Sequence, residues 1–145
     1  MNQYTLATTL TFQGVGLHTG ANHTLTLSPA EPHSGYQICR SDLEGSPTIP
    51  AYADYVTTTQ RATCIERGAV QVSTLEHCLS ALYALGVDNC LITVDGDEAP
   101  ILDGSAYPYV QAIQEAGLKE QSATREVFVV RKPIAVSYTH LTLPT

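Results

Sequence analysis

Glu76 and His77 stand side by side in STLEHCLSAL, residues 73–82, and no other part of the chain is so well suited to chemistry. Leu75, Cys78, Leu79, Leu82 and Leu85 recur at helical spacing, which predicts a helix over 73–85 with the pair near its start. Successive helical residues project about 100° apart. If the imidazole holds a metal ion, the neighbouring carboxylate can reach a metal-bound water without ligating the ion. A general base beside an electrophilic metal needs that arrangement. One histidine is not a metal site: a catalytic zinc takes three protein ligands and a water, and the second helical histidine of an H-E-x-x-H motif is missing. The same residues also have a structural reading. Ser73 as N-cap with Glu76 three residues on forms a capping box, in which two orphan amides are satisfied reciprocally. The spacing leaves both readings open.

Other candidates are less pointed. His18 lies in GVGLHTG, residues 14–20, where glycines leave backbone amides open and let a ligand come close; the bland alternative is a plain turn. Asp103 in ILDGSAYP precedes a helical pattern and reads as an Asx turn around Gly104. Thr59 and Arg61 could line a cleft or decorate a solvated loop, and His23, His33 and His140 have no evident partners. No phosphate-binding P-loop, dinucleotide fingerprint or serine nucleophile elbow is present.

The elements that must position these residues follow from periodicity. YTLATTLTF (4–12) favours a strand, HTLTLSP (23–29) alternates with Leu25 and Leu27 on one face, and the two read as a hairpin around the glycine-rich loop. Tyr36–Cys39 suits a short strand, and 41–50 is a loop by composition. ATCIERGAVQV fits two strands around Arg67 and Gly68, and Gly86 is placed to end the helix of 73–85. DNCLITVDG (88–96) is a strand. Ser105 to Gly117 predicts a second helix, capped by Ser105, with Val110, Ile113 and Ala116 on one face. Strands, helix, strand, helix without strict βαβ repetition predict an α+β fold: a two-layer sandwich, a mixed or antiparallel sheet with two helices on one face. It is expected to close near residue 120, with polar LKEQSAT (118–124) as a linker and a new strand at 126–136.

Composition narrows the function classes. Of 145 residues, 43% are apolar, enough for a packed core; seven Lys and Arg against fourteen Asp and Glu give a formal charge of -7. That balance argues against a nucleic-acid partner held through its phosphates. No stretch approaches the 18 or so consecutive apolar residues of a transmembrane helix. The N-terminal residues lack a secretory pattern, and the four cysteines form no CxxC pair. A cytoplasmic protein with reduced, buried thiols is therefore expected.

Taken together, GVGLHTG (14–20), STLEHCLSAL (73–82), the DN pair at 88–89 and ILDGSAYPYV (101–110) resemble the UDP-3-O-acyl-N-acetylglucosamine deacetylase family, LpxC, zinc amidases of lipid A biosynthesis. The resemblance spans residues 4–136. It implies two similar α+β domains with the active site between them. Residues 1–120 would be the first domain, 121–136 a linker and the opening strand of a truncated second, and 137–145 a non-native tail.

The resemblance implies that Glu76 is the general base and His77 the single zinc ligand from the first domain. His18 and Thr59 would border the substrate, UDP-3-O-acyl-N-acetylglucosamine; Asp103, like the capping Ser73, would be structural near the site. QRAT at 60–63 departs from the more apolar sequence familiar there. The family's other zinc ligands, a histidine and an aspartate in a HKxxDxxGD-like helix of the second domain, are absent from these residues. The isolated chain is therefore expected to hold no catalytic Zn2+ and to be inactive. The alternatives are a non-catalytic α+β interaction module, an inactive remnant, or a fusion in which another lipid-synthesis domain follows.

Overall fold

The structure, a computed structural model, describes residues 1–135 and Ser137. Its centre is a five-stranded mixed sheet in the order β2-β3-β9-β4-β5, formed by β2 (Leu10–Val15), β3 (Asn22–Pro29), β9 (Cys90–Val94), β4 (Tyr36–Arg40) and β5 (Thr48–Pro50). β3 and β9 alternate because one face is covered: His23, Leu25 and Leu27 are buried, as are Cys90, Ile92 and Val94. They pair antiparallel with Leu25 opposite Val94 and Leu27 opposite Ile92, whereas β4 lies parallel to β9 with Ile38 opposite Ile92. A parallel neighbour requires a crossover connection, and that connection carries α1 (Glu76–Ala84). α1 buries Cys78, Ala81 and Leu82, and α2 (Tyr107–Ala116) buries Tyr109 and Ile113; all join the sheet residues in one apolar core. The molecule is the expected two-layer α+β sandwich, with both helices on one face.

Two smaller sheets flank it. β6 (Val56–Thr58), β7 (Cys64–Arg67) and β8 (Val70–Val72) form an antiparallel meander, and β1 (Asn2–Leu6) pairs antiparallel with β10 (Leu118–Thr124). α1 ends in a Schellman motif: Val87 N–H donates to Leu82 O (3.0 Å) and Gly86 N–H to Tyr83 O (3.1 Å), with Gly86 at φ 77°. No helix among the described residues is long and apolar enough to cross a membrane. All four cysteines are free and buried.

Several local expectations need correction. Residues 4–12 are two strands, because β1 pairs with β10 while β2 pairs with β3, and the exposed Ala7–Thr9 corner joins them. The β-branched threonines there carry strand propensity without a ladder to use it. Within 41–50, residues 48–50 form the edge strand β5, where Pro50 costs no interior ladder bond.

The polar stretch 118–124 is β10 rather than a linker, and its register runs Leu6 opposite Leu118 and Tyr4 opposite Glu120. One side of this ribbon meets solvent, so its composition mimics a loop. The strand expected at 126–136 is not formed at residues 126–135, where Val127, Phe128, Val129, Val130 and Ile134 are exposed. A strand needs a paired neighbour, and none lies beside it among the described residues. The tail reading at 138–145, and His140 with it, lies outside the described residues.

Candidate functional site

α1 begins at Glu76 rather than at Ser73, and the capping box is absent. The N-cap position is Leu75, with no side-chain cap bond. Ser73 instead lies beside Glu98 as an isolated parallel bridge. Its amide and hydroxyl donate to Asp97 O at 2.9 and 3.2 Å, and its carbonyl accepts from Ala99 N–H at 3.0 Å. Thr74, at φ 60°, makes the turn into the helix. A β-branched residue at positive φ is a conformational outlier, and this one diverts Ser73 from the cap.

Glu76 is therefore available for other work. It is half-buried, and its Oε2 accepts from Thr63 N–H at 2.9 Å, which ties α1 to the residue before β7. Among the described residues Oε1 has no hydrogen-bond partner, and neither ring nitrogen of the half-buried His77 has one. One carboxylate oxygen is anchored and its twin is open, next to an unpaired imidazole on the first helical turn.

His18 also keeps an exposed imidazole, but its loop differs from the expectation. The amides of Gly16, His18, Thr19 and Gly20 are satisfied internally. Gly16 N–H donates to Ala21 O (2.8 Å), Gly20 N–H to Gly16 O (3.0 Å), and the amides of His18 and Thr19 to the Glu98 carboxylate (2.9 and 2.8 Å). They are spent within the protein and are not open to a ligand.

Glu98 is the residue that sequence reasoning missed. In DGDEAP it reads as part of an acidic surface turn, since glutamate is almost never fully buried, yet it has no exposed surface. Thr19 Oγ1 and Thr74 Oγ1 also donate to it, at 2.8 and 3.1 Å. Burial alone would raise its pKa. The amides of His18 and Thr19 and the hydroxyls of Thr19 and Thr74 outweigh that and hold it at about 2. Gly16 fits against this side chain because a Cβ there would collide with the Glu98 carboxylate and Thr19 Oγ1.

The remaining candidates are placed as follows. Asp103 Oδ1 accepts from Ser105 N–H (2.9 Å) and Oγ (2.8 Å), the expected Asx turn before α2; Ser105 Oγ accepts from Tyr107 N–H (3.1 Å). Thr59 is exposed just past β6, and Arg61 adopts φ 62° in the same loop. His23 and His33 acquire structural partners: His23 is buried with Nε2 at 3.3 Å from Thr19 Oγ1, and His33 Nδ1 lies 3.2 Å from Gln3 Nε2.

Residues 3–143 match the family model described as LpxC: UDP-3-O-acyl N-acetylglycosamine deacetylase. The chain belongs to the LpxC family. Its similarity to the bifunctional enzyme LpxC/FabZ of Porphyromonas gingivalis is 53% identity over 93% of this chain and 29% of that protein. It is 48% identical to the UDP-3-O-acyl-N-acetylglucosamine deacetylase of Myxococcus xanthus over 93% of this chain and 43% of the relative. For the enzyme of that name in Coxiella burnetii the figures are 43%, 94% and 45%. The chain thus spans less than half the length of these LpxC relatives.

Zinc, the metal implied by the resemblance, can be tested against the residues present. Among the described residues no group of three His, Cys, Asp or Glu side chains is gathered to hold an ion. His77, with its ring nitrogens unpaired, fits one ligand position, and a catalytic zinc requires two more. The described residues therefore do not form a zinc site by themselves.

Proposed function

We propose that this LpxC-family chain is the first domain of a zinc-dependent deacetylase that hydrolyses the acetamide of UDP-3-O-acyl-N-acetylglucosamine in lipid A biosynthesis. The first domain would close with β10, and the pairing of β10 with β1 as far as Thr124 supports that reading. Residues 126–136 would open a second domain that brings the missing ligands. One observation carries the reading: an anchored glutamate stands beside a histidine on the first turn of α1, and among the described residues its second oxygen and the imidazole have no hydrogen-bond partner.

In this reading His77 supplies one ligand. Bound in the whole protein with His77 as one ligand, zinc would supply Lewis-acid activation of the amide carbonyl and of water at neutral pH. Glu76 Oε1 takes the proton of the water that adds to the carbonyl carbon, and Thr63 N–H holds the other oxygen in place. As the C–N bond breaks, the proton taken up by Glu76 is returned to the departing nitrogen, so the amine leaves neutral and the base is regenerated. The products are acetate and a free-amine sugar nucleotide. His18 and Thr59 border the substrate. The cytoplasm is the compartment that suits four free, buried cysteines.

In a non-catalytic interaction module Glu76 would be only a cap partner, and the lack of a side-chain cap bond on α1 favours the catalytic reading. The test is deacetylation by the full-length protein, with zinc content measured for the unaltered enzyme and His77→Ala. Zinc-dependent turnover that His77→Ala abolishes together with the metal is expected. A full-length protein that keeps its zinc and its rate after His77→Ala would refute the assignment.

A further inference from the structure

We propose that Glu98 is the positioning residue of this site. Its buried carboxylate locks the 16–20 loop to the entry of α1, and so sets where the His18 imidazole stands relative to Glu76 and His77. The inference rests on the reading of the site given above.

Two segments converge on Glu98. The loop between β2 and β3 contributes the His18 and Thr19 amides and the Thr19 hydroxyl; the entry to α1 contributes the Thr74 hydroxyl. The segment bearing Glu98 is stitched to both sides, by Ala99 N–H to Ser73 O (3.0 Å) and Ile101 N–H to Val15 O (2.9 Å). His23 braces the assembly behind the loop: it lies 3.3 Å from Thr19 Oγ1, and its ring fills the space a Gly96 Cβ would need.

Among the described residues four hydrogen-bond donors, and not a counter-ion, hold this charge. A buried carboxylate is costly, and among the described residues no cation pairs with Glu98. Thr74 sits at φ 60°, two residues before Glu76, and Gly16 leaves no room for a Cβ. A buried charge, a strained threonine and an obligatory glycine meet at one point, and strain of this kind gathers where geometry matters for function. A carboxylate only accepts hydrogen bonds, so it forces every neighbouring donor to face it and leaves one arrangement of the loop. An apolar side chain would fill the space without specifying that arrangement.

The test uses the full-length protein with Glu98→Gln, alone and with His18→Ala, measuring kcat, KM and amide exchange at His18 and Thr19. Glutamine places an NH2 against N–H and O–H donors, so the loop should shift. KM is expected to rise roughly tenfold with a smaller change in kcat. In the His18→Ala background the same substitution should cost no more than about twofold, because its effect passes through His18. Thr74→Val, a milder change, should show the same coupling at about threefold, with Thr74→Ser restoring the KM.

Additive losses in the double variant, or an unchanged KM despite faster exchange, would overturn the proposal and leave Glu98 merely structural. Amide protection is read independently of turnover. An inactive parent whose His18 and Thr19 amides are protected would sink the deacetylase reading instead.

Discussion

Glu76 holds Thr63 N–H with one oxygen and leaves the other open, so glutamine at this position separates structure from chemistry. Glu76→Gln keeps an acceptor for Thr63 and loses the base. In the full-length protein the melting temperature should stay within about 2 °C, while kcat falls at least about a hundredfold; a variant with unaltered rate would remove Glu76 from the reaction. Glu98 makes a different prediction through pH. Its folded pKa, about 2, lies below the ordinary 4.5, so the stability it contributes is complete above 4.5 and is lost as pH falls toward 2. Exchange of the His18 and Thr19 amides should accelerate across that window, and Glu98→Gln should flatten the dependence. Burial pushes the Cys78 and Cys90 thiols up, which suits packing rather than reactivity.

At the scale of elements, the glycine-rich loop and the Schellman turn carry distinct demands. Gly16→Ala would press a Cβ into the Glu98 carboxylate and Thr19 Oγ1. Overpacking of this kind costs about 1–3 kcal/mol, and chemical denaturation should register it together with faster exchange through the loop. Gly86→Ala forces alanine to φ 77° at the end of α1, far from the loop. It should cost about 1 kcal/mol and leave the His18 and Thr19 amides protected. Equal loosening of the loop by both variants would show that the loop has no separate clamp.

For the molecule as a whole, the prediction concerns what this chain does by itself. Among the described residues no metal-holding group is gathered, and Val127, Phe128, Val129, Val130 and Ile134 are exposed in a row without strand partners. The isolated 145-residue protein should bind less than about a tenth of an equivalent of zinc tightly, since His77 alone cannot hold a catalytic ion. It should also show no turnover and associate on concentration through the 127–134 segment. Metal analysis and light scattering check both; one zinc per chain with turnover would contradict the two-domain reading.

The sequence by itself determined the two-layer α+β class, because alternation in β3 and β9 and helical spacing in α1 each report one buried face, a local property of the chain. It also placed Glu76 beside His77, since adjacency survives any fold. Only the tertiary structure decided that Ser73 does not cap α1: the competing partner is Asp97, far along the chain. The same holds for LKEQSAT, polar enough to pass for a linker until β1 offers it a ladder. Glu98 illustrates the limit most clearly. Its four hydrogen-bonding groups come from His18, Thr19 and Thr74, and no local pattern shows that a glutamate in an acidic turn will be surrounded by them. Burial and hydrogen bonding between segments distant in sequence exist only once the chain has closed on itself.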